Sequence, residues 1–187
     1  MGLHQSTVDC KPSVNFYIMR IVGRVKWEKP PIGFMKVNMD AVVCNNKYGF
    51  RVIIRDCDGF VCSGCAGYKG DLPSTELVEI DALVEGISMA RSFNFDHVIF
   101  EFDCASIVNH LRKYHVDITI LGHRIVEIRG MIDLFAEAEV RWISHDKNKV
   151  VDKLCSMAMI NSCNLSFELE YPSDIHQLVI LDSFSLR

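Results

Sequence analysis

Four carboxylates in this chain, Asp40, Glu79, Asp103 and Asp152, sit in settings that a solvated surface acid does not need. At i+3, i+4, i+7 and i+11 from Glu79 stand Ala82, Leu83, Gly86 and Ala90, a helical stripe of small and apolar residues suited to packing on a sheet. A carboxylate on that stripe is desolvated unless something compensates it. An edge position reaching water is the alternative. Asp40 interrupts the strand-like run Phe34–Val42, with apolar residues on both sides. Asp103 ends the apolar run Val98–Phe102 where a strand hands over to a helix, a place that also suits an N-cap. Asp152 lies one step around a helix from the apolar line Val151, Leu154 and Ala158. By contrast Asp81 and Glu85, on one helix face with Ser88, read as solvated surface. Carboxylates gathered in one place repel unless cations neutralise them, and clustered hard oxygens select Mg²⁺ or Mn²⁺. Two such ions, about 4 Å apart, can activate a water and stabilise the leaving oxygen of a phosphodiester. That chemistry requires the four groups to converge in space.

The elements that must position them follow from periodicity. Phe34–Cys44 alternates, with Met35, Val37, Met39, Ala41 and Val43 on one face and Lys36, Asn38 and Asp40 on the other. Asn45-Asn46-Lys47 reads as a turn before a second strand, Tyr48–Arg55. Asp56-Cys57-Asp58-Gly59 is a hairpin signal ahead of a third strand, Phe60–Tyr68. Pro73 and the hydroxyls of Ser74 and Thr75 open a helix that runs to about Arg91. Then come a buried strand (Phe95–Phe102), a helix (Cys104–Tyr114), a helix (about Leu121–Glu137), a short strand (Val140–Ile143) and a last helix (Asn148–Ser162). The order β-β-β-α-β-α-α-β-α predicts an α/β fold, a mixed five-stranded sheet flanked by helices. Residues 1–33 form an N-terminal extension closed by Trp27-Glu28-Lys29-Pro30-Pro31, its order left open; 34–163 carry the core and 164–187 a tail expected to pack on it.

At 187 residues and 49% apolar, the length suits about one domain, and 11 Phe, 5 Tyr and 2 Trp argue against disorder. Twenty Lys+Arg against 24 Asp+Glu give a net charge of −4, which excludes a strongly basic nucleic-acid binder. No stretch has the continuous apolar length of a membrane span. The start, MGLHQSTVDC, lacks a secretory pattern, and the eight cysteines show no disulfide framework, so reduced thiols and an intracellular protein, in cytoplasm or nucleus, are expected. Cys62-Ser-Gly-Cys65 falls in a strand, where that spacing puts the sulfurs on opposite faces, unsuited to zinc or redox pairing. Gly2 meets the loose myristoylation pattern, a weak signal.

Five segments together carry a resemblance: Lys36-Val37-Asn38-Met39-Asp40-Ala41-Val42, Val52–Gly59, Val78–Gly86, Phe100-Glu101-Phe102-Asp103, and Asn148–Leu154. In this order, from about Trp27 to Ser162 with a similar tail to Asp182, the sequence resembles the type 1 ribonuclease H family, most of all its plant, retroelement-related set. The resemblance implies a ribonuclease H-like fold and cleavage of the RNA strand of RNA·DNA hybrids, leaving 5′-phosphate and 3′-hydroxyl ends. It implies that Asp40, Glu79, Asp103 and Asp152 hold two Mg²⁺ (or Mn²⁺) ions. Asp40 would bridge both, Glu79 and Asp103 would bind one, and Asp152 would complete the other. His145 stands where the shorter-looped plant pattern carries an arginine, and could assist proton transfer or product release; a solvated loop histidine is an equal alternative. Asn46, Ser74 and Thr75 are candidate hybrid contacts, though turn and cap roles explain them as well. Arg112, Lys113, Lys147 and Lys149 are a thin basic set, predicting modest, salt-sensitive affinity. A monomer is expected. The competing expectation is a weak or inactive ribonuclease H-like binding module of retroelement origin. A 3′–5′ exonuclease of the same fold is remote, since it usually carries a second acid two residues after the first, and here Val42 stands there.

Overall fold

A computed structural model describes residues 27–44, 47–70, 74–113, 117–154 and 164–184. Strands β1 (Met35–Cys44) and β2 (Lys47–Arg55) pair antiparallel, with Asp40 directly opposite Arg51. The next turn forms because the Asp56 carboxylate accepts from the backbone N–H groups of Asp58 and Phe60, both at 2.9 Å. Gly59 supplies the positive φ of 89° that the turn needs. β3 (Val61–Lys69) returns antiparallel to β2. Its register shifts at Ile54/Arg55, which leaves Cys62 without a partner as a bulge.

Helix α1 (Thr75–Ser92) leads to β4 (His97–Phe102), which lies parallel to β1. Helices α2 (Ala105–Arg112) and α3 (Ile120–Ile132) precede β5 (Glu137–Trp142), parallel to β4. The sequence placed helix as far as Glu137; instead the chain turns after Ile132, Phe135 buries in the core, and Glu137 opens the strand opposite His97. A 3-10 turn (His145–Lys147) introduces α4, described over residues 149–154, and the remainder of the predicted last helix lies outside the described residues. β6 (Leu165–Phe167) pairs antiparallel with β3, and α5 (Ser173–Ser183) follows. The sheet thus has six strands, in the order β5-β4-β1-β2-β3-β6, rather than five. Three residues are too short a run for an alternation signal, so β6 exists only because the β3 edge offers unpaired groups. Among the described residues no helix is long and apolar enough to cross a membrane.

The two sheet faces have different chemistry. Val37, Met39, Val52, Ile54, Phe100 and Phe102 pack with Ile80, Leu83 and Ile87 of α1 in an apolar core. The opposite face carries Lys36, Asn38 and Asp40 of β1 beside Arg51 and Arg55 of β2, all buried. Here Asn38 accepts from Trp27 Nε1 and Arg55 Nη2, both at 2.9 Å, and its amide donates to Glu101 at 3.1 Å. Lys36 pairs with Glu101 at 2.7 Å, and Arg55 with Asp182 of α5 at 2.7 Å. A second apolar cluster, with Ile53, Val150, Val151, Leu154, Ile175 and Val179, seats α4 and α5 on this face.

Two expectations need correction. Cys62 and Cys65 do not divide between opposite faces: the bulge offsets the alternation, and both pack against the first core. Both thiols are free, and burial pushes them up to about 11 and about 12, far from reactive thiolates. Asp81 and Glu85 are more than solvated surface, for Asp81 accepts from Tyr48 Oη and Arg124 and Glu85 pairs with Lys69, tying α1 to β2, α3 and β3.

Candidate active site

Asp40 projects from mid-β1 on the polar face, where it is 8% exposed. Burial raises its pKa to about 6, with Arg51 opposing and Asp103 and Asp152 adding to the rise. Glu79 comes from α1 because that helix lies close on β1. A Cβ at Gly86 would meet Met39 Sδ at 3.0 Å, so the helix lies close enough that the Met39 side chain would have to shift for any larger residue. The Glu79 Oε2 atom is buried without a hydrogen-bond partner. Burial first, then the charges of Asp40 and Asp103, lifts its carboxyl to about 7.

Asp103 follows the last residue of β4. It does not cap α2: Cys104 is the N-cap residue, and no side chain there bonds the helix start. The Asp103 carboxylate instead lies 3.0 Å from His145 Nδ1, while its carbonyl accepts from Trp142 Nε1 at 2.9 Å. Asp152 sits in α4, whose start is clamped to β1 by a buried bond from Asn148 Nδ2 to the Met39 carbonyl, 3.0 Å. His145 Nε2 is 3.4 Å from Asp152 Oδ2, so the imidazole stands between two carboxylates. The bond to Asp103 and the charge of Asp152 raise its pKa, which favours the imidazolium with both nitrogens donating.

All four carboxylates and His145 line one open cleft of about 770 Å³. Ser74 and Thr75 are exposed at the start of α1 and are not among its lining residues, and Asn46 lies outside the described residues. One lining residue was missed by sequence reasoning. Arg51, 5% exposed, places Nη1 3.0 Å from Asp40 Oδ2 and 3.7 Å from Asp152 Oδ1, and donates to the Val151 carbonyl at 3.2 Å. Its signal was present as a charge inside Phe50-Arg51-Val52-Ile53-Ile54. Reading Asn45-Asn46 as a two-residue hairpin loop would have set the register that puts Arg51 opposite Asp40.

A family model described as reverse transcriptase-like matches residues 38–158. The chain belongs to that family. Among solved structures, this reverse transcriptase-like chain is similar to ribonuclease H1 of the archaeon Halobacterium salinarum, at 18% identity and a TM-score of 0.62 over 68% of this chain and 98% of that one. It is similar also to a ribonuclease H1 isolated from compost, crystallised with an RNA/DNA hybrid, at 20% identity and a TM-score of 0.60 over 68% and 98%. A foamy viral protease–reverse transcriptase in complex with double-stranded DNA shares 13% identity at a TM-score of 0.51, over 67% and 94%. At these identities the likeness shows the ribonuclease H fold. A search of curated proteins finds no match.

On the Glu79 side, the residues suit a hard cation. Glu79 Oε2 is a buried oxygen with no partner, and it shares the cleft with Asp40 and Asp103. Between Asp40 and Asp152 the fit is poor, because the Arg51 guanidinium already lies 3.0 Å from the one and 3.7 Å from the other, while His145 contacts Asp103 as well as Asp152. Among the described residues, no three metal-binding side chains stand preassembled as a cage.

Proposed function

We propose that this chain is a divalent-metal-dependent endoribonuclease that cuts the RNA strand of RNA·DNA hybrids. One observation carries the reading: acids from four separate elements, β1, α1, the end of β4 and α4, share one open cleft in a ribonuclease H fold. Asp40, Glu79 and Asp103 are the proposed metal ligands. When bound there, Mg²⁺ or Mn²⁺ supplies Lewis-acid polarisation of the phosphoryl oxygen and a more acidic water.

The chain's own residues do the rest. Glu79 gives up the proton held near neutral pH and presents its buried oxygen to the cation. Arg51 opposes the rise that burial imposes on Asp40 and so favours its ionised form. As water bonds to the phosphorus and the P–O3′ bond breaks, His145, exposed at the rim, gives a proton to the departing 3′ oxygen, so that the products end in a 3′-hydroxyl and a 5′-phosphate. The hybrid is taken as substrate because a solved neighbour of this fold was crystallised on one. Recognition then rests on ribose 2′-hydroxyls and backbone shape rather than on base edges. Exposed Lys149, beside the cleft in α4, is a candidate phosphate contact.

A second reading, a binding module with little catalysis, is favoured by one observation, the Arg51–Asp40 ion pair inside the cleft. Cleavage of an end-labelled RNA·DNA hybrid at low salt in Mg²⁺ or Mn²⁺ separates the two. RNA cleavage by the wild type that Asp103→Asn abolishes supports the enzyme. Binding without cleavage in either metal supports the module.

A further inference from the structure

The four acids do not face an empty space equally. Arg51 is nineteen-twentieths buried, and its Nη1 atom reaches Asp40 at 3.0 Å, the Val151 carbonyl at 3.2 Å and Asp152 at 3.7 Å. A side chain so fixed is no passing surface partner. It stands between the two carboxylates, Asp40 and Asp152, that a second divalent ion would have to share. Its guanidinium carries a positive charge of its own. An arriving cation would have to displace it from three partners and then tolerate its charge a few ångströms away.

The contacts within the cleft are uneven. The guanidinium of Arg51 lies among Asp40, Asp152 and the Val151 carbonyl, whereas Glu79 Oε2 has no partner.

We propose that Arg51 is a resident cation that fills the Asp40–Asp152 position, so that this chain binds one divalent ion, on Asp40, Glu79 and Asp103, instead of two. The inference rests on the metal-dependent reading above and deepens it. Asp152 becomes a positioning residue, holding Arg51 and His145, rather than a metal ligand.

Titration of the full chain with Mn²⁺, read by electron paramagnetic resonance of the free ion and by calorimetry, tests this without activity. The wild type takes up one Mn²⁺ per chain. Arg51→Ala, which removes the guanidinium from between two carboxylates, takes up two. Two further variants do not depend on Arg51→Ala folding. Asp152→Asn keeps the wild-type Mn²⁺ affinity within about threefold, whereas Glu79→Gln weakens it about tenfold or more. Two ions in the wild type, or a loss of affinity in Asp152→Asn as large as in Glu79→Gln, would overturn the resident-cation inference and leave a metal-dependent nuclease standing. No ion in the wild type or in Arg51→Ala would overturn both the inference and the metal reading beneath it.

Discussion

Asp40 and Arg51 are register partners across the β1/β2 hairpin, and the guanidinium Nη1 lies 3.0 Å from the Asp40 carboxylate. Both are buried, so each offsets the desolvation of the other, and neither can be removed without exposing that cost. The pair sits at the centre of the cleft, and the same Arg51 atom also reaches Asp152 of α4. A fold contact and a site contact are here one side chain.

The acids should make metal-free stability fall with rising pH. In the folded chain Asp40 and Glu79 titrate near about 6 and about 7, above their ordinary values of 3.8 and 4.5. The folded state therefore holds more protons in this window than the unfolded one. The contribution is full below about pH 4 and is lost as pH rises through 6 and 7, on the order of 2–4 kcal/mol in all. In EDTA, the thermal midpoint at pH 8 is expected to lie about 5–10 °C below that at pH 5.5, and Mg²⁺ should recover much of the gap. Calorimetric midpoints that stay flat across this range, with and without Mg²⁺, would remove the desolvated-acid account.

His145 should control the alkaline limb of the rate. The bond to Asp103 and the charge of Asp152 move its titration upward, and a proton donor is lost as pH rises through its pKa. His145→Ala is expected to slow hybrid cleavage by about 10²-fold and to flatten the fall in rate at high pH, with the midpoint of unfolding little changed because the side chain is 71% exposed. Retention of the wild-type pH–rate profile in the variant would assign His145 to the solvated loop instead.

Asp182 should be a stability residue remote from the cleft. Arg55 is 1% exposed, stands over Trp27 with its Cζ 3.6 Å from the ring centroid, and pairs with Asp182 at 2.7 Å. Asp182→Ala leaves that guanidinium without its carboxylate and is expected to cost about 3 kcal/mol in urea unfolding, with the slope unchanged. Metal uptake by the folded variant should equal the wild type. A loss below about 0.5 kcal/mol would mean that Arg55 is satisfied by Asn38 and Trp27 alone.

Local pattern carried a good deal of this. Alternation in Met35–Cys44 placed Asp40 on the face opposite the α1 core, and the small-residue stripe after Glu79 marked a helix lying close on the sheet. Such signals are readable because they repeat within one element, every two residues in a strand and every three or four in a helix. The type of each of the four acids, the α/β order and the family resemblance were likewise present in the sequence alone.

Other features depended on partners that meet only in the folded chain. β6 is three residues long and owes its pairing to the β3 edge. Asp103 looked like a cap, yet its carboxylate is taken by His145, which arrives from the loop after β5. Arg51 looked like one charge in an apolar run until β1 set Asp40 opposite it and α4 brought Asp152 and the Val151 carbonyl alongside. The sequence by itself determined which groups could titrate or hold a cation. The tertiary structure decided which of them already have a cation, because Coulomb attraction and desolvation depend on distances between elements that no local period encodes.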